Sequence, residues 1–262
     1  MSSRIGRKSS FSKEFSELKE PQNGIKEGLT TYYYDDGKMQ REGFFQEGLP
    51  EGVWTYWNKK GEKDFDFDFG SGLEHIALED LVERESMFYK LGGDVPFTGI
   101  ITQENPDADY LFLGRTKDGK KDGQWVKWFP SGKDVPEIIL VDVPEPEPKV
   151  PWSGGKQEQG GFKGGKKHGD WTEWYDNEYM KSHGTYNEGI MDGHWIFYHQ
   201  NGVKEKEGSL AMGNADGLWI FWDDESNKVQ EGTFSNGIKE GQWTAWFADG
   251  RLTDCLLYTS PS

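Results

Sequence analysis

The side chains that could do chemistry in this chain are its histidines, its carboxylates and its many aromatic rings. The five histidines do not recur at a fixed interval, and no H-x3-H or H-E-x-x-H spacing exists among them. Zinc ligands and histidine bases need partners at defined positions, so we interpret these residues as turn or strand positions. They are His75, His168, His183, His194 and His199. We therefore predict no enzyme, no metal site and no cofactor.

A column of acidic residues recurs because each member precedes a glycine of a repeated motif. On alternate strands of a sheet these acids would lie about 9–10 Å apart, which is too far for two carboxylates to share one metal ion. Equivalent acids also offer no way to separate their pKa values into an acid and a base, as glycoside hydrolysis requires. We interpret them as solvated acids in turns. The acidic column is Glu27, Glu51, Asp122, Asp192, Asp216 and Glu240.

The sequence DFDFDFG at residues 64–70 resembles a calcium-binding loop in its alternating acids. An EF-hand loop needs glycine at its sixth position and glutamate at its twelfth. Phe69 and His75 occupy those positions here. We predict a half-buried strand with its acids outward instead.

Seven aromatic residues form the strongest candidate for a binding site. Each follows a recurring position, usually tryptophan, by three residues, and this odd offset turns it to the opposite face of a strand. Exposed aromatic stripes are typical of surfaces that bind peptides, sugars or cationic groups. Packing between repeats is the alternative, and the sequence leaves both open. This second column is Tyr33, Trp57, Trp128, Trp174, Tyr198, Trp222 and Trp246.

Both columns arise from an internal repeat of 24 residues with the form G-x4-G-x3-G-x-W-x-x-[WY]. The third glycine of its last four copies is Gly169, Gly193, Gly217 and Gly241. The tryptophan two residues later forms the first column, which we predict to be the structural core of the repeats. The first column is Trp54, Trp125, Trp171, Trp195, Trp219 and Trp243. Eleven of the 12 tryptophans fall in the two columns, so chance does not explain the repeat.

Each repeat is expected to form two short antiparallel strands. Asn201-Gly202 lies between two extended runs and predicts a type I′ turn, and residues 189–193 form the return loop. The fold class we predict is all-β: an array of stacked antiparallel β-hairpins that makes a repeat ribbon or solenoid with a period of 24 residues. Residues 73–84 interrupt the pattern, and their spacing fits a helix or a strand.

The boundaries follow from where the repeat is regular. We expect residues 1–20 to be a basic, disordered tail and residues 21–254 to be the repeat domain. Irregular segments lie at 64–98 and at 133–159, where VDVPEPEPKVP predicts an extended, solvated loop. The last residues, CLLYTSPS at 255–262, break the motif and are expected to be a non-native tail.

Composition limits the function further. The chain has 30 basic and 46 acidic residues, a net charge of −16, which excludes non-specific nucleic-acid binding and disfavours an acidic membrane. The one cysteine, Cys255, excludes an intrachain disulfide and a cysteine zinc site. No apolar run is long enough to cross a membrane and the N-terminus lacks a signal peptide, so we expect a cytoplasmic location.

The repeat unit resembles the MORN repeat, the membrane occupation and recognition nexus motif. Its tryptophan after the third glycine is similar to the variant in bacterial YwqK-type antitoxin-like proteins. In that variant a segment with a tyrosine and then Pro-Phe-Thr-Gly precedes a repeat block, as Tyr89 and residues 96–99 do here. The resemblance covers residues 21–252, and it implies stacked β-hairpins and a non-catalytic interaction role.

Taken together, the residues and the resemblance predict a non-catalytic repeat scaffold. It would bind a protein partner, of unknown identity, through the second-column aromatic face. One alternative is an antitoxin-like or membrane-associated module, since an acidic surface suits a basic partner. Another is a carbohydrate-binding protein that uses aromatic platforms. No nucleic acid and no small-molecule substrate are expected.

Overall fold

The protein is seen in a computed structural model that describes residues 14–15, 25–34, 36–104, 110–129 and 155–258. Within these ranges the regular structure is β-strand, apart from one 3-10 turn at Leu78–Asp80. This confirms the predicted all-β fold. Contacts divide the chain into two compact units, residues 1–119 and 120–262.

The first unit contains five strands that pair antiparallel in chain order. In the fifth strand Phe65 and Phe67 are buried whereas Asp66 and Asp68 are exposed, so the acidic segment is the half-buried strand expected of it. The strands are β1 (Glu14–Phe15), β2 (Gly28–Tyr33), β3 (Met39–Gln46), β4 (Leu49–Trp57) and β5 (Lys63–Asp68).

The rest of the first unit departs from the simple hairpin pattern. A short strand pairs parallel with a strand that begins at Gly99, and the latter pairs antiparallel with its successor. Two further strands form a hairpin. Residues 73–84 are therefore strand and 3-10 turn rather than α-helix. The strands are β6 (His75–Ala77), β7 (Leu81–Arg84), β8 (Met87–Lys90), β9 (Gly99–Glu104) and β10 (Tyr110–Lys117).

The second unit is a ladder of ten antiparallel strands in chain order. Alternate strands of this ladder, β13, β15, β17 and β19, begin 24 residues apart, at Lys166, Ile190, Asn214 and Ile238. The predicted period is therefore confirmed. The strands are β11 (Lys120–Trp128), β12 (Lys156–Lys163), β13 (Lys166–Trp174), β14 (Met180–Asn187), β15 (Ile190–Tyr198), β16 (Lys204–Ala211), β17 (Asn214–Trp222), β18 (Lys228–Ser235), β19 (Ile238–Trp246) and β20 (Leu252–Tyr258).

Several predicted boundaries fall wholly or partly outside the described residues. Of the predicted tail at 1–20, only β1 is described. Of the insert at 133–159, residues 133–154 lie outside the described part, and 156–159 belong to β12. Residues 255–258 of the last segment continue β20, and 259–262 are not described.

The two-residue type I′ turns lie at the return loops and not where the sequence predicted them. Glu188 and Gly189 have φ angles of 48° and 89° and join Asn187 to Ile190 in the ladder. Positive φ at both positions defines type I′. The same pairs of positive φ angles recur at 47–48, 118–119, 164–165, 212–213 and 236–237.

The predicted type I′ turn at Asn201-Gly202 is wrong, because only Gly202 has a positive φ, 83°. The turn is longer: the amide of Gly202 donates to the carbonyl of His199, and the amide of His199 donates to the carbonyl of Val203. Asn201 instead uses its side-chain oxygen to accept the Val203 amide at 3.0 Å. An i→i+3 turn followed by a left-handed glycine is a common alternative in hairpins.

The core of the repeats is the first tryptophan column, whose members are 1–5% exposed. Each indole in β4, β13, β15, β17 and β19 lies on a glycine of the preceding strand, as Trp195 lies on Gly184 and Trp219 on Gly208. A Cβ on either glycine would overlap the indole. The indole N–H donates to a backbone carbonyl ten residues earlier, at 3.0 Å from Trp219 to Ser209. Each indole therefore packs closely only because the residue beneath it is glycine.

Candidate aromatic binding face

The second-column residues each stand at the last position of a strand. Every one of them is half-buried, in contrast to the buried first column. In the first unit they end β2 and β4, and in the second unit they end β11, β13, β15, β17 and β19. The second unit therefore carries one ring on every other strand of a regular ladder, namely Trp128, Trp174, Tyr198, Trp222 and Trp246.

Strand alternation separates the two tryptophan columns onto opposite faces. The ring of Phe197 stacks on Trp195 with centroids 5.8 Å apart, so both lie on the first-column face. Its neighbour Tyr198 therefore points to the other face. Tyr198 pairs with Lys204 in the ladder, and Trp222 pairs with Lys228. We name the side that carries the second column the ring face.

Lysine side chains fill most of the spaces between successive rings. The Nζ atom of Lys156 lies 4.7 Å from the ring centroid of Trp174. Lys204 lies 5.6 Å from Trp222 and Lys228 lies 4.3 Å from Trp246. These distances are those of cation–π contacts. Met180 occupies the equivalent position between Trp174 and Tyr198.

Two of these lysines also pair with carboxylates on the same face. Lys204 lies 2.7 Å from Glu207, and Lys228 lies 2.8 Å from Glu231. The partners are three residues apart on one strand, yet they share a face because a β-bulge shifts the register there. Exposed pairs of this kind add little stability. Their effect is to hold the lysine stems against the rings.

Hydrogen bonds between neighbouring turns fix the strand ends that carry the rings. The hydroxyl of Tyr175 donates to the carbonyl of Tyr198 at 2.8 Å. His199 Nε2 lies 3.0 Å from the carbonyl of Trp222, and Tyr34 donates to the carbonyl of Trp57 at 2.7 Å in the first unit. Each bond spans 23 residues, so it links one repeat to the next at the ring position.

In the second unit, the turns that follow the rings are acidic in two repeats. Asp223, Asp224 and Glu225 directly follow Trp222, and Asp176 and Glu178 follow Trp174. Hydrogen bonding from the side chain of Asn227 lowers the pKa of the Asp223 carboxyl below its usual value, so this group stays ionised near neutrality. Asp224 and Glu225 are exposed.

The acidic column lies at the opposite ends of the strands and has a structural role. Glu27 accepts the backbone amide of Glu47 at 2.8 Å. Asp192 accepts the amide of Met212 at 3.2 Å. Other members behave alike: Asp122 and Asp216 accept turn amides, and Glu51 accepts the hydroxyl of Ser71. Glu27, Asp122, Asp192 and Asp216 each hold the return turn of the next hairpin in this way.

The histidines serve different local contacts. His75 stacks on Phe69 with centroids 5.5 Å apart, and burial lowers its pKa below 6.5. His183 lies 3.0 Å from the Thr172 hydroxyl, and His194 lies 3.9 Å from Glu207. In the described part of the chain no three His, Cys, Asp or Glu side chains come together as metal ligands.

A third aromatic column was missed at the sequence level. Its rings meet the first-column indoles edge to face, as Phe234 meets Trp243 with centroids 4.9 Å apart and a plane angle of 84°. All but Tyr258 follow the glycine beneath an indole by two residues, and Tyr258 follows Leu256 at the equivalent position. In the second unit the same 24-residue spacing could have identified them. They are Phe45, Phe162, Tyr186, Phe234 and Tyr258, with Leu210 in one repeat.

Comparison with known proteins agrees with this architecture. Residues 26–47 and 191–210 match the family model of the MORN repeat variant, and each segment spans one hairpin, β2–β3 and β15–β16. Two hairpins of the chain therefore match this repeat variant. The match is to the variant as a whole, so the likeness to the YwqK type stays a prediction. No curated protein matches the chain.

MORN repeats are generally modules for interaction with proteins or membranes, and the family is not an enzymatic one. No helix long and apolar enough to cross a bilayer occurs among the residues that the structure describes.

Proposed function

We propose that this chain is a non-catalytic scaffold that binds a protein partner through the ring face. The observation that carries the proposal is the difference in burial between the two faces. The first column is 1–5% exposed and packs on glycine, whereas the second column is half-buried on the opposite side. The part of each ring that stays exposed can contact a ligand.

The side chains of the ring face should also lose little conformational entropy when a partner binds. The strand ends are tied by hydrogen bonds from one repeat to the next, and lysine stems hold the rings. Side chains that are already ordered lose less conformational entropy when a partner arrives. Tyrosine and tryptophan are the residues that most often dominate protein interfaces.

The test is a double variant, Tyr198→Ala with Trp222→Ala, assayed for partner capture from native cell extract and for melting temperature. We expect capture to be lost while the unit stays folded, with each half-buried ring costing about 1–2 kcal/mol and so lowering the melting temperature by about 2–8 °C. The matched control is Ile190→Ala with Ile238→Ala, two apolar side chains that are 45% and 58% exposed at the first positions of β15 and β19. Full capture by the ring variant would refute the proposal.

A further inference from the structure

We propose that Tyr198, Trp222 and Trp246 form a groove for a basic, proline-rich segment of another protein, bound as a polyproline II helix. The inference rests on the proposed function and names the chemistry of its partner. It places the bound segment across the strands, from one hairpin to the next.

Spacing is the first argument. The three rings end β15, β17 and β19, so neighbouring rings are two strands apart, about 9.4–9.8 Å at the usual distance between strands. A polyproline II helix has three residues per turn and rises about 9.3 Å per turn. Every third residue of such a ligand therefore meets an equivalent ring.

Other peptide conformations do not fit this period. Same-face side chains of a β-strand recur about every 6.6–6.8 Å. Two turns of an α-helix rise about 10.8 Å, which is out of step by about 2 Å or more after two ring intervals. Sheet twist rotates each strand by about 20–25° against its neighbour, so the row turns by about 80–100° from Tyr198 to Trp246, and we limit the ligand to these three rings, or about seven residues.

The chemistry of the groove suits proline. Grooves lined by aromatic side chains are the usual receptors of proline-rich segments, and the preformed conformation of these segments keeps the entropic cost of binding low. The half-buried rings of Trp222 and Trp246 provide the flat apolar surfaces. The stems of Lys204 and Lys228 lie between the rings and form the remaining floor.

The charged side chains beside the three rings indicate which residues should accompany proline in the ligand. The turn after Trp222 carries Asp223, Asp224 and Glu225. Glu207 in β16 and Glu231 in β18 lie on the ring face beside the lysines. Lys204 and Lys228 already pair with the last two. Asp224 and Glu225 in that turn are therefore left to attract a cation of the ligand close to Trp222, and the net charge of −16 favours the approach of a basic chain.

The probes are four synthetic peptides with fluorescent labels, measured by anisotropy at physiological salt with the full chain. (Pro-Pro-Arg)4 is the candidate ligand. (Ser-Gly-Arg)4 has the same charge without the conformation, and (Pro-Pro-Glu)4 has the conformation with opposite charge. (Pro-Pro-Pro-Arg)4 keeps four arginines and the polyproline II helix but moves the arginines to a spacing of about 12.4 Å.

We expect (Pro-Pro-Arg)4 to bind at least tenfold more tightly than each of the other three peptides. Trp222→Ala should weaken this binding at least tenfold, and Asp224→Asn with Glu225→Gln at least threefold. The control Glu188→Gln with Glu240→Gln removes the same charge from a return turn and from the first half of β19, at the strand ends opposite to the rings, and should change nothing. Equal binding of the proline and serine–glycine peptides, or an unchanged Trp222→Ala variant, would overturn the inference.

The outcome separates this inference from the proposed function. If the ring-face double variant loses its native partner but (Pro-Pro-Arg)4 shows no preference, the ring face binds a partner of another chemistry and only this inference fails. If the double variant keeps its partner, the proposed function fails, and specific peptide binding would then show that the ring face has a ligand other than that partner.

Discussion

Replacing Trp219 with alanine should destabilise the second unit far more than replacing Trp222 on the same strand. Trp219 is 5% exposed and lies on Gly208, with the rings of Phe221 and Phe234 each 6.2 Å away between centroids. Removing a buried indole costs about 3–5 kcal/mol. The lost N–H bond to the Ser209 carbonyl is part of that cost.

The assay is thermal and urea unfolding of the two variants and the parent. For a unit of this size 1 kcal/mol corresponds to about 2–4 °C, so Trp219→Ala should melt about 6–20 °C below the parent. Trp222 is half-buried, and losing about half the burial of a large side chain costs about 1–2 kcal/mol. Both variants remove the same side chain from β17, so strand propensity and volume cancel in the comparison.

The comparison can contradict the reasoning in two ways. If Trp219→Ala is as stable as the parent, the first column is not the core. If Trp222→Ala loses as much unfolding free energy as Trp219→Ala, both faces are core. The rings of the ring face are then needed for stability and are not a surface for a partner. In a repeat array the loss should also spread to neighbouring repeats, because each repeat is stabilised mainly by the next.

Two further predictions concern glycine and histidine. Gly208→Ala would push a Cβ into the Trp219 indole and should cost about 3 kcal/mol, whereas Gly217→Ala, with φ of 77° and open space around it, should cost about 1 kcal/mol; urea midpoints compare them. Burial lowers the pKa of His75 from 6.5, so the unfolded chain binds more protons, and stability of the first unit should fall as the pH drops below about 6.5. His75→Phe keeps the ring on Phe69 and should remove that part of the pH dependence in unfolding curves.

The repeat and the two faces could be predicted because they depend only on spacing. Glycine and tryptophan at 24-residue intervals imply equivalent strands, and an offset of three residues implies opposite faces. The role of the glycine beneath each indole could not be predicted, because it depends on register. His183 pairs with Ile196, and the next pair is Thr185 with Asp192. From one pair to the other, β14 advances by two residues and β15 by four. This bulge brings Trp195 onto Gly184.

The positions of the turns were mistaken for a related reason. Asn-Gly is a strong signal for a type I′ turn, but the sequence does not show how the asparagine side chain is used. Here Asn201 Nδ2 donates to the carbonyl of Asp224 in the next repeat at 2.7 Å. Glu188 adopts the left-handed conformation instead, with φ of 48°. A contact between repeats thus overrode a local preference.

Differences among the repeats of this one chain support a division between a fixed core and a variable face. The indole recurs in β13, β15, β17 and β19, and the glycine beneath it recurs in the strand before each of these. The residue between successive rings varies along the same array, from Lys156 to Met180, then Lys204 and Lys228. Since those positions contact rings on the half-exposed side, they can change without disturbing the indole–glycine pairs. Recognition can therefore differ from one repeat to the next while every repeat keeps the same backbone.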